Sequence, residues 1–428
     1  LIVGWPYLIY RRWTRGPGSL RLAERLGGVP SRPVAAHCVW IHGVSLGEIN
    51  ATRTIVEQLR LRSPATSVVL SSTTQTGLDR ARQLYPRHIV FRFPVDFSPV
   101  LRRTMNRIRP SIIVLMELEA WPNLIEVSHR RGIPVIIANG RITEQRSARW
   151  FRHPLLRPLA RRMFGRLAWV GAQDETYAQR FAELGVPHER IEVTGSLKYD
   201  AAEVSDRIEG QEELALEMGI APHRPLWVCG STGPGEEALI LKTYAELLER
   251  FPELQLVIVP RHPERFEEVA ALIVQCGFAC LRRSAGAPLR PGGAAGGRPV
   301  FLGDTMGELR KFYALAHVVL VGRTLAPLGG SDVMEVAGLA RPMLVGPHTE
   351  NFAEAVERLA AGGGCVRLHH GLESGGDCVA ELRAGVAAVL ADADYARRLG
   401  EAARRTILVC RGATHRTVER ILRLLEEI

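Results

Sequence analysis

Thirteen apolar runs of strand length recur along this chain, with helix-length segments between most of them. Parallel strands need a crossover of a dozen or more residues, so this alternation predicts parallel sheets with helical crossovers. The first series reads CVWIHGV, SVVLSST, HIVFRFP, SIIVLM, IPVIIANG, LAWVGAQ and RIEVTGS, ending near Ser196. The second reads LWVCGST, LQLVIVP, FACLRRS, VFLGDT, VVLVG and RPMLVGP. Polar residues do not alternate with apolar ones in these runs, so each strand is expected to be buried on both faces, as in doubly wound sheets. The fold class that follows is α/β, with two doubly wound domains facing across a cleft. Ligands of such sheets sit outside the carboxyl ends of the strands.

The 428 residues divide accordingly. Residues 31–199 form the first domain and 225–410 the second. A polar, acidic stretch, 200–224, reads as a linker with one helix. Residues 411–428 read as a final helix packing back on the first domain. Residues 1–30 begin with LIVGWPYLIY and continue with Arg11, Arg12, Arg15, Arg21 and Arg25. Ten residues cannot span a bilayer, which needs about 20. An apolar end followed by basic residues fits a truncated membrane anchor with a juxtamembrane segment on the cytoplasmic side. A signal peptide is disfavoured, because no small-residue cleavage site follows. Segment 285–299 is rich in Gly and Pro and reads as a surface loop.

A net charge of +10 calls for an anionic partner. Aromatic residues make up only 6% of the chain, which argues against a stacking nucleic-acid binder and for no nucleic acid as partner. The basic residues are nearly all arginine; the lysines are Lys198, Lys242 and Lys311. Seven scattered cysteines include one close pair, Cys276 and Cys280, with no histidines or second pair to complete a zinc site. They read as reduced and mostly buried. Segment 141–166 holds eight arginines interleaved with Trp150, Phe151, Leu155, Leu156 and Phe164, a composition suited to anionic lipid. The plainer alternative is the solvated face of an ordinary helix.

Residues just after each strand carry the chemistry. HGVSLGE places Glu48 in the first turn of a helix, either as a helix-start acid or as a general base. MELEAWPN places Glu117 and Glu119 two apart on one face of extended chain. GSLKYD places Lys198 at the domain junction, an ordinary surface lysine or a point charge for a phosphate or carboxylate. CGSTGPGEE is a Gly-rich turn into a helix that lacks the GK[ST] tail of a P-loop. In VPRHPERF, prolines frame Arg261 and His262 for ligand contact, with Glu264 or Glu267 as alternative partners of Arg261. Thr305, Met306 and Gly307 offer consecutive backbone donors. Gly329-Gly330 lead into Ser331, Asp332 and Glu335, where an acid can hold a ribose diol and a Ser or Asp is ordinarily an N-cap.

The stretches WIHGVSLGEINA, MELEAWPN, GSLKYD, VPRHPERF, LGDTMGELRKFY and VGPHTENF occur in order along the chain. With them the chain resembles the 3-deoxy-D-manno-octulosonic acid (Kdo) transferases, which move Kdo from CMP-Kdo to lipid A precursors such as lipid IVA in lipopolysaccharide biosynthesis. The resemblance implies a GT-B fold of two Rossmann-like domains, an inverting, metal-independent glycosyltransferase and no cofactor beyond the donor CMP-Kdo. It also implies the cytoplasmic face of the inner membrane. Glu48 matches the family's proton acceptor. Glu119 and Lys198 match positions credited with stabilising the transition state. Pro260 and Arg261, then Met306, Gly307 and Glu308, then Asp332, Val333, Met334 and Glu335 match CMP contacts.

Two departures stand out. Ser331-Asp332 replaces the family's usual His-Asn, and Gly233-Pro234 interrupts its usual Ser-Thr-His-x-Gly-Glu. Ionised Asp332 about 4 Å from a donor anion would be repelled by roughly 4 kcal/mol at an effective dielectric near 20. The alternative functions are a nucleotide-sugar epimerase of the same fold, needing no membrane surface, and a non-catalytic membrane-associated descendant.

Overall fold

The computed structural model describes residues 22–32, 37–142, 157–286 and 298–428. The expected anchor, most of the arginine-rich segment (143–156) and the heart of the Gly/Pro-rich loop (287–297) lie outside the described residues. The chain forms two compact units. One runs to Ala201 and takes in Cys410–Ile428; the other is Ala202–Val409.

The first unit is a parallel sheet of β1 (Cys38–His42), β2 (Ser67–Ser72), β3 (Ile89–Arg92), β4 (Ile112–Met116), β5 (Val135–Gly140), β6 (Trp169–Ala172) and β7 (Ile191–Val193). Their order is β3-β2-β1-β4-β5-β6-β7. Successive side chains on a strand point to opposite faces, and β1 shows the result. Cys38 and Trp40 enter one core with Phe91, Leu115, Ile137 and Phe181. Val39 and Ile41 enter the other, with Leu70, Val114 and Ile136. That second core is covered by Ile49, Ile55 and Leu59 of helix Leu46–Arg62 and by Val418, Ile421, Leu424 and Leu425 of the final helix, Ala413–Glu426. Both faces of β1, β4, β5 and β6 are buried, which is why those runs are continuously apolar; β7, at the edge of the sheet, departs from that expectation, with Glu192 and Val193 exposed.

The second unit repeats the plan with β8 (Leu226–Thr232), β9 (Gln255–Pro260), β10 (Ala279–Arg282), β11 (Pro299–Leu302), β12 (Val318–Val321), β13 (Met343–Val345) and β14 (Val366–Arg367). All pairs are parallel, in the order β10-β11-β9-β8-β12-β13-β14. Its core joins Trp227, Ile258 and Leu320 to Tyr244 of helix Glu236–Arg250 and Leu382 of helix Gly376–Ala391. Within 200–224 lies the helix Gln211–Met218. Residues from Ala202 onward belong to the second unit, where Asp206 pairs with Arg404 and the Ser205 amide donates to Gly338.

Strand order reverses between β1 and β4 in the first sheet and between β8 and β12 in the second. Connections leave opposite sides of the sheet there and open a crevice at the strand ends. No helix among the described residues is long and apolar enough to cross a membrane. All seven cysteines are free; Cys38, Cys229, Cys365 and Cys378 are buried, while Cys276 is exposed.

Candidate active site

In the first unit the chain turns sharply after β1. The turn is pinned by hydrogen bonds to the Val44 carbonyl from Thr74 Oγ1 (2.5 Å) and Ser72 Oγ (3.0 Å). A Cβ on Gly43 would lie 3.2 Å from the Cβ of Glu48, so glycine leaves room for the glutamate to fold over the turn. Ser45 Oγ accepts from the Glu48 amide at 3.1 Å, and Glu48 Oε1 accepts from the Ser45 amide at 3.1 Å. This is a reciprocal capping box. Glu48 Oε2 also accepts from the Val44 amide at 2.8 Å. The helix-start reading of Glu48 is therefore present in the geometry, and the carboxylate is buried at the mouth of the β1/β4 crevice.

Glu117 and Glu119 follow β4 at the same crevice. Glu117 has φ of 55°, and its amide donates to the Ala138 carbonyl on β5. Burial pushes its carboxyl above the ordinary range, with the charge of Glu48 adding; Arg141 and Lys198 oppose. Burial pushes Glu119 up to about 8, again with Glu48 and Glu117 adding. Three carboxylates thus share one electrostatic neighbourhood, with Lys198 beside them. Lys198 stands on the short helix Leu197–Ala201. Asn139, buried at the end of β5 with φ of 57°, accepts from the Leu197 amide through Oδ1 at 3.0 Å and so fixes where that helix begins. Asn139 was not among the expected site residues. Its signal was an Asn-Gly pair ending an apolar strand.

In the second unit the Gly-rich turn after β8 is not an open anion cradle. The buried Glu236 carboxylate accepts from the amides of Gly233 (2.8 Å), Arg323 (2.6 Å), Leu325 (2.9 Å) and Ala326 (3.4 Å). It fills the β8/β12 crevice from within and occupies donors that an anion would use. Pro260 ends β9, and the Arg261 amide donates to the Thr232 carbonyl. The anchored arginine of VPRHPERF is Arg265, which pairs with buried Glu237 at 2.6 and 3.1 Å. Glu267, one expected partner of Arg261, pairs with Arg282 instead. Arg261 is exposed and lies within electrostatic reach of Glu335.

Met306, Gly307 and Glu308 form a separate turn after β11. Met306 is 67% exposed and Gly307 takes φ of 89°. Glu308 accepts from Arg283 Nε (2.9 Å) and Thr305 Oγ1 (2.6 Å), and the Arg283 bond holds its carboxyl down at about 2. The helix that follows, Leu309–Leu315, has two turns. Asp332 accepts from the Met334 amide at 2.9 Å at the start of the single-turn helix Met334–Gly338, which also carries Glu335. Burial pushes Glu335 up to about 7, with Asp332 adding to the push and Arg310 and Arg261 opposing it. Val333 and Met334 are buried beneath these acids. Among the described residues no group of three His, Cys, Asp or Glu side chains is arranged to hold a metal ion.

The structure therefore assembles Glu48, Glu117, Glu119 and Lys198 at one sheet's carboxyl edge, and Arg261, Asp332 and Glu335 at the other's. The fold is the two-domain GT-B fold found in glycosyltransferases and epimerases. The UDP-GlcNAc 2-epimerase of Neisseria meningitidis, bound to UDP-GlcNAc, matches 92% of this chain with all of its own at a TM-score of 0.57 and 13% identity. Anabaena HepE in complex with UDP matches 92% with all of its own at 0.55 and 14%. The sequence narrows the class. A family model described as 3-deoxy-D-manno-octulosonic-acid transferase matches residues 20–201. The 3-deoxy-D-manno-octulosonic acid transferase of Haemophilus influenzae is 32% identical over 95% of this chain and 92% of its own. That of Bordetella pertussis is 33% identical over 96% and 94%. The chain belongs to the 3-deoxy-D-manno-octulosonic acid transferase family.

Proposed function

We propose that this chain transfers Kdo from CMP-Kdo to a lipid A precursor, lipid IVA, in lipopolysaccharide biosynthesis, with inversion at the anomeric carbon and no metal ion. Family membership supports the donor and the reaction class. The observation that carries the mechanism is the buried Glu48 carboxylate at the β1/β4 crevice, with Glu119 and Lys198 in the same neighbourhood. Glu48 takes the proton of an acceptor hydroxyl while that oxygen bonds to the anomeric carbon. The bond from that carbon to the CMP phosphate oxygen breaks, and its electron pair leaves with CMP. Attack from the face opposite the leaving group inverts configuration. Pro260 and Arg261, Met306 to Glu308, and Asp332 to Glu335 are the proposed CMP contacts.

Incubation with CMP-Kdo and lipid IVA, followed by mass analysis of the lipid, tests the reaction; unchanged lipid mass rejects it. Glutamine at an N3 position still serves a capping box, so Glu48→Gln should fold and bind CMP. Its transfer rate should fall by about 10²–10⁴-fold, the usual worth of a general base. Turnover at the native rate would remove Glu48 from the mechanism.

The proposed site of action is the cytoplasmic face of the inner membrane, on anionic lipid. The arginine-rich stretch supports it: in its described part, helix Arg157–Phe164 buries Ala160, Met163 and Phe164 and exposes Leu159 and Arg161. Arg162 and Arg166 are partly committed to Glu126. Charge reversal at Arg149, Arg152 and Arg161 should weaken co-sedimentation with anionic vesicles, and more so at low ionic strength. Equal sedimentation of the variant and the native chain would discard this surface.

A further inference from the structure

The loop that carries Glu119 is fastened in part by residues outside the recognised motifs, Phe93, Asp96 and Ser98. Its upstream end is tied to β5 through the Glu117 amide. Its downstream end runs into helix Pro122–His129, whose N-cap residue, Trp121, provides no side-chain cap. Pro122 has no N–H to give. The amides of Asn123 and Leu124 would therefore be unpaired, and a carboxylate from the loop after β3 takes them. Asp96, four residues beyond β3, accepts from the Leu124 amide through Oδ1 at 2.8 Å and from the Asn123 amide through Oδ2 at 3.0 Å. Asn123 Nδ2 returns to Asp96 at 2.9 Å (carbonyl) and 3.3 Å (Oδ2), and Ser98 Oγ donates to Asn123 Oδ1 at 3.2 Å.

The same β3 exit supplies Phe93. Its ring stacks on buried His42 at 4.0 Å and meets Trp121 at 4.7 Å. Trp121 is thus held by a ring on one side and by a capped helix immediately after it. Glu119 stands two residues upstream, where the charges of Glu48 and Glu117 reach it.

We propose that Asp96 is a positioning residue for transfer, fixing Glu119 beside Glu48 by locking the start of helix Pro122–His129 to the exit of β3. The inference rests on the functional reading above and adds a residue that touches no substrate. Misplacing a catalytic group by about 1 Å costs on the order of 10²-fold, so the brace matters to rate as well as to folding. Losing the brace also frees the loop to hydrate, and the carboxyl of Glu119 then titrates nearer its ordinary range. Burial is the largest cause of its rise, with Glu48 and Glu117 adding and Trp121 opposing, so hydration of the loop outweighs any loss of the Trp121 contact; at Glu117, Arg141 and Lys198 oppose.

The experiment measures transfer from CMP-Kdo to lipid IVA against pH for the full-length chain and for Asp96→Asn, Glu119→Gln and Asp174→Ala. Glu119→Gln identifies the inflection that belongs to Glu119, by removing it. Asp174 caps helix Glu175–Glu183 through the Tyr177 amide at 2.8 Å and controls for loss of a cap elsewhere in the unit. Asp96→Asn is expected to lower kcat about 10–100-fold, leave KM for CMP-Kdo unchanged and move that inflection to lower pH. Asp174→Ala should keep the native profile. The proposal is overturned if Asp96→Asn keeps the native inflection, or if its rate falls no further than that of Asp174→Ala. Should Asp96→Asn fail to fold, Asn123→Ala reads the same inflection, with a downward shift supporting the brace and an unmoved one overturning it. A native chain that transfers no Kdo would refute the functional reading instead, before any variant is compared.

Discussion

Asp332 and Glu335 place two carboxylates around one helical turn, where the family usually has an amide and an acid. The structure shows the consequence at Glu335. Burial lifts its carboxyl from the ordinary 4.5 to about 7, and Asp332 adds to the lift. A carboxyl raised in this way is protonated at a pH where it would otherwise be charged, so it can donate a hydrogen bond to a ribose hydroxyl as well as accept one. The linkage has a definite sign. The folded state holds a proton that the unfolded state has released, so stability is full below about 4.5 and declines as pH rises through about 7. Asp332→Asn removes one source of the lift. It should lower the midpoint of the pH dependence of CMP binding, followed by calorimetry across a pH series, and flatten the decline in stability over the same window. An unchanged midpoint would mean that Asp332 does not act on Glu335. Asp332 itself could be picked out in the sequence as a departure, but its coupling to Glu335 could not. That coupling depends on burial and on Arg261 and Arg310, which come from other elements.

Among the elements, the strands were the most legible part. Thirteen of the fourteen are visible as apolar runs, because most of them are buried on both faces; β7, which exposes Glu192 and Val193, and half-buried β10 are apolar only in part. The exception is β14, two residues within CVRLHH, too short to show a period. The strand ends were legible for the same reason, and with them the places where Glu48, Glu117, Glu119 and Lys198 stand. The ties between elements were not. Asp96 meets Asn123 from 27 positions away and Glu236 meets Arg323 from 87, and no local pattern encodes either contact. Glu236 shows what the Gly-rich turn serves: the Gly233 amide goes to the chain's own carboxylate. Removing it leaves up to four buried amides without an acceptor, each costing about 1–3 kcal/mol less whatever water recovers. Glu236→Ala should destabilise the second unit by at least about 3 kcal/mol, read from urea unfolding. A loss under about 1 kcal/mol would mean that solvent replaces the carboxylate.

At the scale of the whole molecule, two units of like plan were foreseeable from two series of runs, and the return of the last helix to the first sheet was an expectation from architecture alone. The structure gives that return its atoms. The Asp200 carboxylate accepts from the amides of Gly412 (2.7 Å) and Thr414 (2.5 Å), and Arg411 Nε donates to the Tyr199 carbonyl at 3.3 Å. The two points at which the chain leaves and re-enters the first unit are therefore side by side. The second unit is one unbroken stretch, whereas the first is built from the stretches on either side of it.

This split orders events during synthesis, when residues leave the ribosome from the amino end onward. Every strand of the sheet β8–β14 has been synthesised before Val418, Ile421, Leu424 and Leu425 exist. The part of the older sheet's face that these four side chains seal stays open until helix Ala413–Glu426 has been made. A ribosome that stops before Val418 would release a chain whose second sheet has all its strands and whose first sheet is still unsealed.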